Sequence, residues 1–236
     1  MILAKIVKKY CIFAAMKDLL TAIKERHAVR KYISKPISQE IGDKLSAFVE
    51  QVNKESNLHL QAIFNDSKAF TTGKAKYGKF ENVENYIALV GSNTSDYSEK
   101  IGYYGEKIVL YITQLGLDSV WVGLTFGKNP ERVKVEQGEK WRAVIAFGYG
   151  ANHGFAHKIK QREQVMKADN APQWFLNGID AALLAPTAMN QQKFKFILQS
   201  DGSIKAKSGF GIMTDIDLGI AKYHFEIGAG RAIDWK

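Results

Sequence analysis

Residues 185–192 read Ala-Pro-Thr-Ala-Met-Asn-Gln-Gln, between an apolar helical run, Phe175 to Leu184, and a strand-like run, Phe194 to Leu198. Pro186 lacks an N–H and its ring clashes with the preceding turn, so it stops a helix. Thr187 and Asn190 then set short polar groups and free backbone amides at a bend. Such a corner can hydrogen-bond the edge of a flat heteroaromatic ligand, or can be an ordinary helix stop.

A second segment, Ile23-Lys24-Glu25-Arg26-His27-Ala28-Val29-Arg30, carries two arginines four apart. A helix continuing through them would put both on one face. The planar guanidinium fork suits phosphate, although a basic helix end also favours the C-terminal dipole without any ligand.

A third stretch completes the pattern. Gly102-Tyr103-Tyr104-Gly105-Glu106-Lys107-Ile108-Val109-Leu110 opens a helix that runs into Leu115-Gly116-Leu117-Asp118-Ser119-Val120-Trp121-Val122-Gly123, and Trp141 to Gly150 follows as a strand ending Gly-Tyr-Gly. Together these segments resemble the nitroreductase family of flavin mononucleotide (FMN) enzymes across most of residues 17–200. That resemblance implies an α+β fold, a central and mostly antiparallel sheet flanked by helices. It also implies FMN as cofactor, with NAD(P)H and a small-molecule electron acceptor (a nitroaromatic, a quinone or another oxidised compound) as partners. A flavin-binding module without efficient turnover, for storage or sensing, is the alternative reading.

The order of the motifs departs from the family. Its Pro-Ser-x-x-Asn corner normally follows the arginine motif by about 30 residues, where this chain has Ala47 to Glu55 without proline. The corner instead lies near the C-terminus. An internal repeat accounts for this: residues 41–121 have a shorter echo in 174–235. The expected organisation is a first half, 16–151, a shortened second half, 152–236, and an N-terminal extension, 1–15. In typical members two subunits share one flavin. Here two pseudo-repeated halves of a single chain would build one site, a pseudo-dimer able to work as a monomer.

By the same resemblance, Arg26 would hold the phosphate, His27 and Ala28 would also lie in the cofactor-binding segment, and Arg30 would lie near the N1/C2=O edge of the ring. Ala28 stands where the family has serine. Val122 and Gly123 match the loop whose backbone faces N5. Lys160 and Arg162 match a Lys-x-Arg phosphate clamp, or form a charged loop. Pro186, Thr187, Ala188, Asn190 and Gln192 match the ring-binding corner, with Thr187 keeping the family's hydroxyl. Trp121 reads as core. No acid or base is required, because the cofactor carries the chemistry.

Composition is compatible. The 236 residues suffice for a sizeable core, with 46% hydrophobic residues and 4 prolines. The net charge of +9 allows nucleic acid, an anionic membrane or an anionic cofactor, but no nucleic-acid motif, basic-aromatic run or membrane-length apolar stretch is present. The single cysteine, Cys11, excludes a disulfide framework and a cysteine-built metal site and fits a reducing cytoplasm. The five histidines lack metal-ligand spacing, and no Gly-x-Gly-x-x-Gly or Gly-x-Ser-x-Gly appears. Tyr10 to Ala15 is too short for a signal core.

The elements that must position these residues follow from periodicity. Helices are expected over 16–26, from Gln39 to Val52 with Ser38 as N-cap, from Glu99 to Leu115, and over Ile216 to Phe225. Strands are expected at Leu58–Phe64, Tyr86–Val90 and, centrally, Trp141–Phe147. Residues 65–85 read as loop-rich, and 152–164 as the connector between halves.

Overall fold

Why the central strands sit where they do follows from their residues. Asn85–Ser92 and Glu139–Gly148 are near-continuous apolar runs, and such runs need cover on both faces. The computed structural model describes residues 19–71 and 73–236. The N-terminal extension, the helix start at 16–18 and Cys11 lie outside them. In it, strands β2 (Asn85–Ser92) and β4 (Glu139–Gly148) occupy the middle of a four-stranded antiparallel sheet, order β1-β2-β4-β3. Strand β1 is Gln61–Ile63 and β3 is Asp118–Val122. The expected strand at Leu58–Phe64 is shortened to three residues, although His59 N still reaches Val90 O at 3.0 Å.

Helix α1 covers described residues 19–25. Helix α2 (Gln39–Ser56) starts at Ser38, whose Oγ accepts from Ile41 N, and ends at left-handed Asn57. Its buried Leu45, Val49 and Val52 recur at helical spacing. The loop-rich stretch contains a short helix α3 (Lys68–Thr71) and a 3-10 turn, Gly73–Gly78.

Helix α4 (Tyr97–Gln114) buries residues on nearly every side, including Ile101, Gly102, Gly105, Glu106, Ile108 and Leu110. It is a core helix and not a surface one. One short turn after it, the Leu115-Gly116-Leu117 bend, with Gly116 at φ 75, leads straight into β3. The Leu-x-x-x-Trp segment is therefore a strand and not a helix end.

The rest of the chain supplies further helices and a second set of strands. After α5 (Arg162–Val165) and β5 (Met166–Lys167) come α6 (Gln173–Leu183), β6 (Phe194–Leu198), β7 (Ile204–Ser208) and α7 (Thr214–Ala229). Strands β5, β6 and β7 form a second sheet, parallel between β5 and β6 and antiparallel between β6 and β7. One hydrophobic core joins the parts, running from Leu45 and Ile145 to Phe196 and Phe225. Helix α7 packs on both α4 and α6. No described helix is long and apolar enough to cross a membrane.

Candidate functional site

The two arginines meet a cavity, but not by the expected route. Helix α1 ends at residue 25, and the chain continues extended, with Ala28 bridged in parallel to Ser119 of β3 and Val29 N bonded to Ser119 O at 3.0 Å. In an extended segment alternate residues share a face. Arg26, Ala28 and Arg30 therefore face one way, while Val29 is buried in the sheet's apolar cluster. A period of two, not a helical turn, brings the arginines together.

The corner arrives at the same cavity from the far end of the chain. Helix α6 stops at Leu183, and residues 188–190 form a 3-10 turn with positive φ at Met189, Asn190 and Gln192. Pro186, Thr187, Ala188 and Met189 line the cleft with Arg26, Ala28 and Arg30. Val120, Trp121 and Gly123 of the β3 edge, Ala143 of β4, and Met213, Ile216, Asp217 and Ile220 at the start of α7 complete the walls.

Several expected residues do other work. Trp121 is not simply core: it is half-buried, lines the cleft and donates Nε1–H to Glu106 Oε2 at 2.7 Å. Val122 points into the opposite cluster with Val29 and Val144. His27 is outside the lining, its Cβ against Gly154. Lys160 and Arg162 do not line the cleft. The Lys160 ammonium donates to the carbonyls of Gln191 and Gln192 at 2.8 and 2.9 Å, and Arg162 forms a two-pronged pair with exposed Asp180. Asn190 and Gln192 also stand outside it, both donating to Lys158 O. Lys160, Asn190 and Gln192 thus tie the corner to the connector, while Arg162 is held to α6. Thr187 Oγ1 accepts from Gln192 N at 3.1 Å, which leaves its own proton free to donate. In the first part, the place of the missing corner is filled by Asn53, which exchanges two hydrogen bonds with the Leu60 backbone.

Behind Arg26 lies a charged network that sequence reading missed. Glu106 is fully buried on α4; its Oε1 is 2.9 Å from His224 Nε2 and 3.8 Å from Arg26 Nε. His224 Nδ1 is 3.1 Å from Ala181 O, and a carbonyl can only accept, so that nitrogen carries a proton. Burial works against the Arg26 charge and Glu106 works for it; a guanidinium in such a place stays protonated. Arg26 Nε has no hydrogen-bond partner within the protein. A buried unpaired donor is costly, and the charged group nearest to this one is Glu106, not the open cleft.

Asp217, in the first turn of α7, is the one acid lining the cleft among the described residues. It accepts from Ala188 N at 2.9 Å and from Gln191 Nε2 at 2.8 Å. Burial pushes its carboxyl up to about 6, against those two hydrogen bonds. Nothing in the local sequence marked Glu106, His224 or Asp217, because each lies on a helix whose apolar period reads as core. Only the charge within an otherwise buried period was a signal. Among the described residues no group of three histidine, cysteine or carboxylate side chains could hold a metal ion.

A sequence model of the family described as "Putative TM nitroreductase" matches residues 18–229. Among solved structures, a "putative nitroreductase" from Thermotoga maritima MSB8 is similar in fold, with TM-score 0.60 and 21% identity over 89% of this chain and 82% of that one. A "putative nitroreductase in complex with FMN" from Desulfovibrio desulfuricans is 17% identical at TM-score 0.48, covering 65% of this chain and 98% of its own. An "FMN-dependent nitroreductase" from Clostridium difficile R20291 is 20% identical at TM-score 0.44, covering 56% and 87%. No curated protein matches.

Proposed function

Because this chain belongs to the nitroreductase family, we propose that it is an FMN-dependent oxidoreductase, taking hydride from NAD(P)H and passing it to a nitroaromatic, quinone or other small oxidised acceptor. One observation carries the reading. Arg26, Ala28 and Arg30 line the same cleft as Pro186, Thr187 and Ala188, though the two segments lie at opposite ends of the chain. Two segments expected as half-sites thus line one cleft of a single chain, which supports reading the chain as a pseudo-dimer that binds one flavin.

FMN, when bound, supplies the two-electron chemistry, accepting hydride and giving it up again. The chain's own residues supply the rest. Arg26, a cleft-lining guanidinium backed by Glu106, suits the phosphate. Exposed Arg30 suits the electron-rich N1/C2=O edge, where a positive charge favours the reduced ring. Thr187 offers a free hydroxyl proton to that ring, and Gly123 lines the same cleft. Trp121, Ile216 and Ile220 exclude water from one side of the cleft. Lys160 and Arg162 fit a bracing role better than the phosphate clamp. The alternative, a flavin-binding module with little turnover, draws on Ala28, which removes one hydroxyl contact from the cleft.

The deciding experiment combines flavin absorbance, light scattering at low protein concentration and NAD(P)H oxidation with a panel of acceptors. One flavin on a species of single-chain mass, with acceptor-dependent oxidation, supports the proposal. Flavin without turnover favours the module. Flavin retained only on a dimer would show that the site is completed between chains.

A further inference from the structure

A second groove opens beside the cleft and shares two of its walls, Gly123 and Met213. The Met213 thioether packs directly onto the Gly123 Cα, where no Cβ would fit. A flexible, polarisable side chain therefore separates the two spaces. Beyond it the groove has an aromatic wall, Phe126 and Trp141, ring centroids 5.4 Å apart. Lys128 and Arg142 also line it. Lys128 Nζ stands 5.9 Å from the Trp141 ring centroid, and neither cation has a carboxylate partner among the described residues. Trp141 is only 6% exposed, yet its indole N–H has no hydrogen-bond partner.

We propose that this groove is the anchoring site for an anionic group on the substrate: a flat molecule whose reactive end enters the cleft past Met213 and whose carboxylate or phosphate rests between Lys128 and Arg142. The proposal rests on the flavin reading of the cleft. The chemistry fits in three parts. A flat apolar body packs against the half-buried Phe126 at the edge of the largely buried Trp141. Two unpaired cations give charge-assisted hydrogen bonds to an oxyanion. The shared wall lets one molecule occupy both spaces, so its charge selects the substrate without touching the reacting atoms.

The test is calorimetric binding of two ligand pairs to the FMN-loaded protein, its flavin content first read by absorbance. The pairs are 4-nitrobenzoate with nitrobenzene, and NADP+ with NAD+. Each differs by one anionic group, a carboxylate in the acceptor pair and a phosphate in the donor pair. The wild type is expected to bind the anionic member of one pair more tightly, and less so at high salt. The Lys128→Gln/Arg142→Gln variant is expected to lose that preference, weakening the anionic member about tenfold or more and leaving the neutral member unchanged. The responding pair identifies the source of the anion. A wild type without preference in either pair overturns the proposal, as does a variant that weakens both members equally. Lack of flavin uptake refutes the functional reading instead, while charge discrimination in the same protein still decides the groove.

Discussion

Gly102 of α4 and Gly219 of α7 cross each other reciprocally. A Cβ on Gly102 would strike the carbonyl of Ile216, three residues before Gly219, and a Cβ on Gly219 would strike the carbonyl of Glu99, three residues before Gly102. This exchange of like contacts is what a two-fold axis produces between subunits, here found between two helices of one chain. Around the crossing, Lys222 pairs with Glu99, and Tyr103 donates to Glu226 at 2.6 Å.

The crossing predicts the effect of adding one carbon. Gly102→Ala and Gly219→Ala each force the helices apart and should destabilise by about 1–3 kcal/mol or more, beyond any gain in helix propensity. Thermal unfolding of a chain this size should then drop by roughly 2–4 °C per kcal/mol. The double variant should cost less than the sum, because one displacement accommodates both methyls. Full additivity would show that the two contacts are independent.

Glu106→Gln should leave Arg26 buried without its counter-charge and cost about 3–5 kcal/mol. An anion in the cleft would replace the lost charge. Adding FMN, or inorganic phosphate, should therefore raise the unfolding temperature of the variant more than that of the wild type. An equal ligand-induced rise in both would deny that Glu106 and the ligand act on the same guanidinium.

Asp217 gives a pH signature. Its carboxyl is raised from the ordinary value to about 6 by burial, so the folded state holds its proton more tightly than the unfolded state does. The resulting stability is present below about pH 4 and lost as pH rises through about 6. Above that pH the carboxylate also sets a negative charge beside the cleft. Asp217→Asn should match the wild type in FMN affinity at pH 5 and bind more tightly at pH 7.5. Parallel affinity curves across that range would remove Asp217 from the electrostatics of the site.

Arg30 is exposed and its loss should spare the fold. Arg30→Ala should weaken FMN binding roughly ten- to hundredfold, the scale of one charge-assisted hydrogen bond of about 1.5–3 kcal/mol, or lower the flavin midpoint potential. Unchanged affinity together with unchanged potential would refute the role. Arg30→Lys should recover part of the effect by charge alone.

What the sequence determined by itself was local. Apolar runs and their stops marked α2, α4, the central strand β4, and the Pro186 corner, because a helix period, a proline and a continuous β run are readable within a dozen residues. The family-like motifs could be read in the same way. Tertiary structure decided how they meet. Arg26 and Arg30 share a face because the chain pairs with Ser119 and becomes extended, an outcome set by a partner some 90 residues away. Lys160, Asn190 and Gln192, expected from the motifs alone, are found bonded between corner and connector because the two lie against each other. Glu106 and His224 read as interruptions in two apolar helices until the crossing at Gly102 and Gly219 brings α4 and α7 together. A buried charge is tolerable only beside its partner, and in this protein the partners lie 118 residues apart in sequence. No local pattern can encode that distance; the packing of the two helices does.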